Sequence, residues 1–285
     1  MCGKASRATF VWIAVVVVLI AGVAWVLRNR EHDDPQLAVG GSLSPLAIFN
    51  AGDCLRWDGA DVTPLDPRVV PCDDRHVFEV AGGASVDVAT SDFPTTEAWR
   101  KAVQPICDPM ISRYVSLAPR GRFASNALLP NPETWERGDR YVLCGVSEYA
   151  IDGSRKVQDF EGRVSEVDQA LIRPPGTCIR PDGYAVACDK SHHLEVVGEL
   201  DLTNQFPEHP TAAQWLALAQ QTSCVELASR YLGRDFQSTE ELTSTLAPIP
   251  EEAWALGVRR LECSIGRSLG TGRWANVTGS FKDGA

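Results

Sequence analysis

The chain has 285 residues, of which 44% are hydrophobic, enough for two domains of ordinary size. Its net charge of -10 at pH 7 argues against a nucleic-acid partner, because phosphate recognition requires clustered Lys and Arg. Of its nine cysteines, only Cys2 precedes an apolar N-terminal run, and the remaining even set lies beyond that run. An even set of cysteines in an exported segment predicts disulfides.

The first predicted element is a transmembrane helix over residues 10–27, with the sequence FVWIAVVVVLIAGVAWVL. At about 1.5 Å per residue, a helix of this length covers about 27 Å, close to the hydrocarbon thickness of a bilayer. A cleaved signal peptide is the alternative, since Gly22-Val23-Ala24 offers small residues. The apolar run continues through Trp25, Val26 and Leu27, which favours an uncleaved anchor.

The cysteines also predict the orientation of this anchor. Paired thiols require an oxidising compartment, so residues 1–9 are expected in the cytoplasm and the bulk of the chain outside it. The protein is therefore expected in the plasma membrane with a single pass. Residues 28–46 are charged and then contain Gly and Ser without periodicity, which predicts a tether.

A motif then occurs twice. Its pattern C-D-x-x-H-x-x-E-V covers Cys72–Val80 and Cys188–Val196. Further corresponding positions recur in the same order: Gly52-Asp53-Cys54 and Gly176-Thr177-Cys178; Trp99, Cys107 and Tyr114 and Trp215, Cys224 and Tyr231; W-x2-G-x-R-x3-C at Trp135–Cys144 and Trp254–Cys263. This self-similarity predicts two tandem copies of one small domain.

Each copy is predicted to be α+β, a small antiparallel sheet with one main helix. The predicted strands are His76–Val88, Val142–Val146, His192–Leu202 and Leu261–Ile265. In the second copy the helix is expected over Thr211–Leu232, ending at Gly233. In the first copy Pro105 and Pro109 are expected to break or kink it.

Spacing alone does not determine the disulfide pairing, because four cysteines allow three connectivities in each copy. Bridges that stay local within a copy are favoured. The favoured pairs are Cys54–Cys72, Cys107–Cys144, Cys178–Cys188 and Cys224–Cys263.

Three of these features together resemble a known family. G-D-C-L at Gly52–Leu55, C-x3-H-x2-E-V at Cys72–Val80 and W-x2-G-D-R-x3-C at Trp135–Cys144 are similar to the actinobacterial septum formation domain, a family of membrane-anchored envelope proteins. The resemblance covers about residues 48–148 and, more loosely, 172–268. Thr177 and Val258 depart from the pattern in the second copy. The resemblance implies a link to cell division or envelope growth.

The motif has two functional interpretations, a metal site and a catalytic site. Cys72, His76 and Glu79, and likewise Cys188, His192 and Glu195, offer possible ligands, yet the chain has neither a C-x2-4-C nor an H-x3-H pair. On a strand, His76 and Glu79 would point to opposite faces unless the chain turns between them. No catalytic motif accompanies the histidine, so neither metal, cofactor nor enzymatic activity is predicted.

Structural roles are therefore expected for the motif residues. His76 and His192, with Glu79 and Glu195, are expected to form structural hydrogen bonds. The tryptophans, including Trp135 and Trp254, are expected in the core. The remaining two motif residues, Arg140 and Arg259, are expected to pair with carboxylates, with an anionic ligand site as the alternative.

The predicted segments follow in chain order: 1–9 cytoplasmic, 10–27 transmembrane, 28–46 tether, 47–150 first repeat, 151–170 linker, 171–269 second repeat and 270–285 disordered tail. The predicted function is a non-enzymatic binding or scaffold protein of the cell envelope, with partners in the envelope or division machinery. The alternative is an accessory factor, carrier or enzyme that acts on envelope lipid or cell-wall glycan, using a cleft between the repeats and the His-Glu pairs. A thiol-disulfide oxidoreductase is a third and less favoured function, because the chain has no C-x-x-C motif. Nothing in the sequence identifies a small-molecule ligand.

Overall fold

The computed structural model describes residues 44–57, 66–88, 92–154, 156–239, 241–270 and 272–283. The chain forms two units, Met1–Gly41 and Ser42–Ala285, and all described residues belong to the second. The predicted cytoplasmic segment and transmembrane helix, residues 1–27, lie outside the described residues, as does most of the predicted tether. Among the helices that are described, none combines the length and the apolar character needed to cross a bilayer.

The first half of the described chain forms an antiparallel sheet of six strands. Its order is β2-β1-β3-β5-β4, and β6 lies beside β5. The strands are β1 Cys54–Arg56, β2 Arg68–Val70, β3 Phe78–Ser85, β4 Phe123–Leu128, β5 Tyr141–Tyr149 and β6 Val157–Gln158.

The second half forms a five-stranded antiparallel sheet in the order β10-β11-β9-β7-β8. Its strands are β7 Cys178–Ile179, β8 Ala185–Val186, β9 Leu194–Asp201, β10 Leu242–Leu246 and β11 Arg260–Arg267. Read from the opposite edge, this is the order of the corresponding strands in the first sheet. The α+β class expected from the sequence is confirmed for the described chain.

A bulge lies at the same place in the two sheets. The register shifts at Ala81 between β3 and β5, and at Val197 between β9 and β11. A glycine follows each bulge because a helix packs against it closely. A Cβ at Gly82 would lie 2.6 Å from Met110 Sδ, and one at Gly198 would lie 2.7 Å from Leu227 Cδ2. Glycine thus allows this close approach of helix to sheet without displacing the Met110 or Leu227 side chain.

The main helix of the first half, α1 Thr96–Tyr114, is continuous through Pro105 and Pro109. The predicted break is therefore wrong. The two prolines lie four residues apart on the exposed face of the helix. Solvent can there hydrate the carbonyls that lose their N–H partner. The opposite face is buried over Trp99, Val103, Cys107 and Ile111, and this packing holds the helix together.

In the second half the predicted helix is divided in two. It forms α3 Ala212–Gln220 and α4 Ser223–Leu232, which ends at Gly233 in the left-handed conformation, as expected. The break follows from Thr222, whose backbone N–H and hydroxyl both bond the carbonyl of Ala217. A threonine that bonds the preceding turn in this way competes with the regular helical ladder.

Two short helices precede the closing strands, α2 Pro132–Glu136 and α5 Glu251–Ala255. Each carries a tryptophan of the W-x2-G-x-R element into the core. Trp135 is 1% exposed and Trp254 is 7% exposed. Both tryptophans therefore pack in the core, as the sequence predicted.

Four disulfides join the sheets to their surroundings. They link the pairs favoured from the sequence, namely Cys54–Cys72, Cys107–Cys144, Cys178–Cys188 and Cys224–Cys263. Two of them tie a main helix to the closing strand, α1 to β5 and α4 to β11.

Replacing both cysteines of the first helix-to-strand bridge, Cys107→Ala with Cys144→Ala, should lower the free energy of unfolding by about 2–4 kcal/mol. The bridge closes a loop with a sequence separation of 37 and both its cysteines are buried. Denaturant titration of the full-length chain measures the change. The matched pair Cys224→Ala with Cys263→Ala should have a similar effect, and a loss below about 1 kcal/mol in both would contradict the prediction.

Candidate functional site

The motif places a cysteine, a histidine and a glutamate together in each half. Cys54 pairs with Glu79 across β1 and β3. His76 lies outside β3, which begins at Phe78 after a bend at Val77. An imidazole nitrogen, Cys54 Sγ and a Glu79 carboxylate oxygen therefore lie within 4.8 Å of one another. The expectation that His76 and Glu79 face apart on one strand is wrong because the chain turns between them.

The Glu79 carboxylate is buried, with 1% of the residue exposed. Tyr114 of α1 donates its hydroxyl to Oε1 at 2.5 Å, and the backbone N–H of Val164 donates to Oε2 at 2.8 Å. Removing a carboxylate from water is costly unless donors replace the water. Strand β3 thus supplies the carboxylate, α1 supplies one donor, and a later segment of the chain supplies the other.

Glu195 repeats the arrangement in the second half, with 0% exposed. Oε1 accepts the hydroxyls of Tyr231, from α4, and of Ser280, the latter at 2.7 Å. Oε2 accepts the backbone N–H of Phe281 at 2.7 Å. We name Glu79, Glu195 and their donors the carboxylate centres.

The last donors lie in segments that the sequence assigned to a linker and a disordered tail. We call residues 156–170 and 272–283 return segments one and two. Gly162 donates to the carbonyl of Cys72 and Gly279 to that of Cys188, both at 2.7 Å. The backbone of His76 forms an antiparallel bridge with that of Phe160, and the backbone of His192 forms one with that of Val277.

The predicted linker and tail are therefore wrong for these residues. The buried side chains of Phe160, Val164 and Phe281 hold the return segments against the sheets. The signal in the sequence was an apolar-x-G-x-apolar pattern, at Phe160–Val164 and Val277–Phe281. Its glycine and apolar positions agree in spacing, although the polar residues differ.

Each motif histidine is fully buried. Nδ1 of His76 lies 2.9 Å from the carbonyl of Asp74, and Nδ1 of His192 lies 2.8 Å from the carbonyl of Lys190. A carbonyl only accepts, so each Nδ1 carries the hydrogen. The two Nε2 atoms are buried without a hydrogen-bond partner among the described residues. The expected structural hydrogen bond is present on one side of each ring only.

The close groups of Cys54, His76 and Glu79, and of Cys178, His192 and Glu195, have the donor types of a metal site. A thiolate would be one of the ligands. Both cysteines are in disulfides, so neither sulfur can act as a thiolate ligand while the bridge is closed.

The arginines of the W-x2-G-x-R elements contact carbonyls and a ring. Arg140 donates to the carbonyl oxygens of Trp135 and Asp139, both at 2.8 Å, and its guanidinium lies 3.3 Å from the Trp135 ring centroid. Arg259 donates to the carbonyls of Trp254 and Val258 and lies 3.7 Å from the Trp254 centroid. These contacts differ from the expected pairing with carboxylates, and they close the turn before β5 or β11.

A cleft of about 720 Å³ separates the two halves. Its ionisable lining residues are Arg120, Arg173, Asp182, His193, Arg260 and Glu262. Arg173 is ion-paired with Glu262, and burial raises the pKa of that carboxyl group. Arg260 is ion-paired with Glu199 and, at 3.2 Å, with Asp168. A cleft between the halves was expected to act together with the His-Glu pairs, but none of His76, Glu79, His192 and Glu195 lines it.

Arg120 lies at one wall of this cleft in an uncommon backbone conformation. The carbonyl of Ala118 accepts the N–H of Gly121 at 3.0 Å, which closes a turn with Pro119 second and Arg120 third. The φ of Arg120 is 60°, in the left-handed region that a third turn residue usually occupies as Gly or Asn. A non-glycine residue there is strained by about 1 kcal/mol or more.

The family model described as Septum formation matches residues 51–263, more than half of the chain. The chain belongs to the Septum formation family. The predicted resemblance is confirmed, and the single match spans the two sheets rather than one half.

Relatives of this Septum formation protein occur in Mycobacterium tuberculosis. Uncharacterized membrane protein MT3943, from strain CDC 1551 / Oshkosh, and uncharacterized membrane protein Rv3835, from strain ATCC 25618 / H37Rv, are each 29% identical to it over 311 aligned positions. The alignment covers 98% of this chain and 68% of each relative. No solved structure matches the chain.

The substitution Tyr114→Phe should lower the free energy of unfolding by about 1–3 kcal/mol, because it leaves Glu79 Oε1 buried without this donor. Tyr184→Phe is the matched control, since Tyr184 is 44% exposed. Denaturant unfolding of the two variants compares them. Equal stability of the Tyr114 and Tyr184 variants would contradict the assigned role of the carboxylate centre.

The same tyrosines should make stability fall at alkaline pH. Burial, followed by the bond to the glutamate, raises the pKa of Tyr114 and of Tyr231 to about 12, from 10.0. Between these values the unfolded chain loses the protons that the folded protein keeps, so the free energy of unfolding decreases as pH rises. Ultraviolet titration of tyrosinate should show two groups that ionise near pH 12 and that the double Phe variant lacks. Their ionisation at the ordinary value would contradict the prediction.

Proposed function

We propose that this protein is a single-pass protein of the cell envelope that binds a partner in a septum-related process without catalysing a reaction. Residues 10–27 are its proposed anchor, with the N-terminus in the cytoplasm and the two halves outside. The apolar sequence, the disulfides and the relatives named as membrane proteins support this topology. The family description supports the link to septum formation.

We further propose that the two halves are copies of one unit that arose by duplication. The shared strand order, the bulges at Ala81 and Val197, and the centres at Glu79 and Glu195 support this view. In the duplicated form, the binding surface lies between copies rather than within one.

The observation that carries the proposed binding role is the strained turn at Arg120. A side chain in the left-handed region persists only when the surrounding structure holds it, and such outliers concentrate at binding sites. Gly121 fixes the turn, since a Cβ there would lie 2.7 Å from the Gln169 carbonyl oxygen. The turn is thus held against return segment one, with an exposed arginine at its tip.

The charge around this arginine favours an acidic group on the partner. The whole chain carries a net charge of -10, yet the cleft brings together three arginines, Arg120, Arg173 and Arg260, against two carboxylates, Asp182 and Glu262. Their ion pairs hold the second and third guanidinium groups in place. A partner that presents carboxylate or phosphate groups would meet an ordered set of donors at little entropic cost.

The cleft also supports the second candidate, a carrier or enzyme for envelope lipid or cell-wall glycan. Its volume of about 720 Å³ lies within the usual range of small-molecule pockets. The two candidate functions predict different losses when a cleft residue is substituted. The binding role predicts loss of a protein partner, and the carrier or enzyme role predicts loss of a small molecule.

The substitution Arg120→Gly tests the role of the cleft. It should leave the fold as stable as before, or more stable by up to about 1 kcal/mol, because glycine adopts the positive φ without strain. It should reduce recovery of envelope or division proteins in proximity labelling in the native host. A thermal-shift measurement gives the stability of the same protein.

Arg113→Ala is the control, because Arg113 is an exposed arginine of α1 outside the cleft. It should leave recovery unchanged. If the wild-type protein recovers nothing above background, or Arg120→Gly recovers the same partners at the same level, the proposed binding role is wrong. Lipid or glycan that co-purifies with the wild type and is lost from Arg120→Gly would favour the carrier.

A further inference from the structure

Two of the four disulfides differ from the others in exposure. In the first half Cys54 is 0% exposed while its partner Cys72 is part-exposed, and Cys178 and Cys188 repeat this asymmetry. In the other two bridges every cysteine is at most 3% exposed. Attack on a disulfide requires access to one sulfur, and the partial exposure of Cys72 and Cys188 favours the asymmetric pair among the described bridges as the entry point for a thiolate.

A proton-carrying group lies beside each buried sulfur. An imidazole nitrogen of His76 and a carboxylate oxygen of Glu79 lie within 4.8 Å of Cys54 Sγ, and His192 and Glu195 stand in the same relation to Cys178. The Nε2 atoms of the two histidines are buried without a described partner. An unpaired buried polar atom costs about 1–3 kcal/mol, so its recurrence at both sites calls for a role.

The geometry also determines the state of the imidazole. The Asp74 carbonyl holds the hydrogen on Nδ1 of His76, which leaves a lone pair on Nε2. Burial lowers the pKa of His76, so the ring is neutral at pH 7. The charged groups that act on the ring are Glu79, Asp159 and Arg163. A neutral imidazole has a nitrogen lone pair that can accept a proton.

We propose that Cys54–Cys72 and Cys178–Cys188 are thiol-disulfide exchange sites for a partner dithiol, in which the buried histidine carries the proton of the buried cysteine. The two cysteines of each site come from separate strands and turns, which explains how such a site exists without a C-x-x-C motif.

The exchange can be written for the first half. A partner thiolate attacks Cys72 Sγ, a new S–S bond forms, and the old bond breaks with its electron pair on Cys54 Sγ. The negative charge on Cys54 Sγ favours uptake of a proton from the medium by the adjacent His76 imidazole, which passes that proton to the thiolate. The second partner thiolate then attacks its own sulfur in the mixed disulfide and releases Cys72, which takes a proton from solvent.

The partner dithiol thereby becomes a disulfide, and two electrons and two protons reach Cys54 and Cys72. In the reverse direction the imidazole of His76 accepts the proton of the Cys54 thiol as the bridge closes. This site is independent of the cleft and goes beyond the proposed binding role, so Arg120→Gly should not affect it.

The first test is the order in which the bridges open. The full-length chain in detergent is treated with graded dithiothreitol, alkylated and mapped by peptide mass spectrometry. Cys54–Cys72 and Cys178–Cys188 should open at least about tenfold faster than the two buried bridges. Equal rates at all four bridges, or earlier opening of a buried bridge, would overturn the proposal.

The second test is His76→Asn, because the Asn amide can still donate to the Asp74 carbonyl but lacks Nε2. Closure of the reduced protein by oxidised glutathione should be at least about tenfold slower at Cys54–Cys72 at pH 7. The difference should shrink as pH approaches about 8.5, where thiols ionise without help. The unchanged Cys178–Cys188 site in the same molecule is the control for folding. An unaltered rate and pH profile at Cys54–Cys72 would overturn the proposal.

Discussion

The fold depends on one requirement, that a carboxylate buried in each half be given hydrogen-bond donors in place of water. Glu79 receives them from a helix and from return segment one, and Glu195 from a helix and from return segment two. An uncompensated charge in such a place is strongly destabilising. The strand, helix and return segment of each half must therefore be docked together, and the local disulfides join parts of the chain that this requirement already brings close.

The same requirement separates the interior chemistry from the surface available to partners. Because both oxygens of each carboxylate are buried and accept from internal donors, each carboxylate contributes to architecture rather than to recognition. The charged groups that face a common space outside the sheets are those of the cleft, where Arg120, Arg173 and Arg260 converge. The cleft is thus the concave face that this member of the Septum formation family presents between its two sheets.

Residues with a specific side-chain role were readable from the sequence. The motif cysteines, the tryptophans and the helix end at Gly233 fall where their chemistry predicted. Contacts made by backbone left no signal except the repeated apolar-x-G-x-apolar spacing of the return segments. Val164 and Phe281 reach their glutamates through an N–H that any residue except proline carries, so the return segments resembled a linker and a tail.

Predictions from local helix propensity were wrong where side-chain packing, or the hydrogen bonds of one polar residue, determined the structure instead. Pro105 and Pro109 did not break α1, because the apolar face opposite them is fully packed. Thr222 divided a helix that periodicity had joined. The positive φ of Arg120 is likewise a property of the turn and its neighbours, and no pattern of residue types announces it.

The reach of return segment one has a practical consequence for anyone who isolates the first half. A fragment that ends at residue 150, where the sequence repeat stops, would retain Glu79 and Tyr114 but lack the Val164 N–H. It would also expose the edge of His76 that Phe160 covers. The smallest autonomous piece therefore extends past the last shared motif, and boundaries drawn from sequence similarity alone would yield an unstable product.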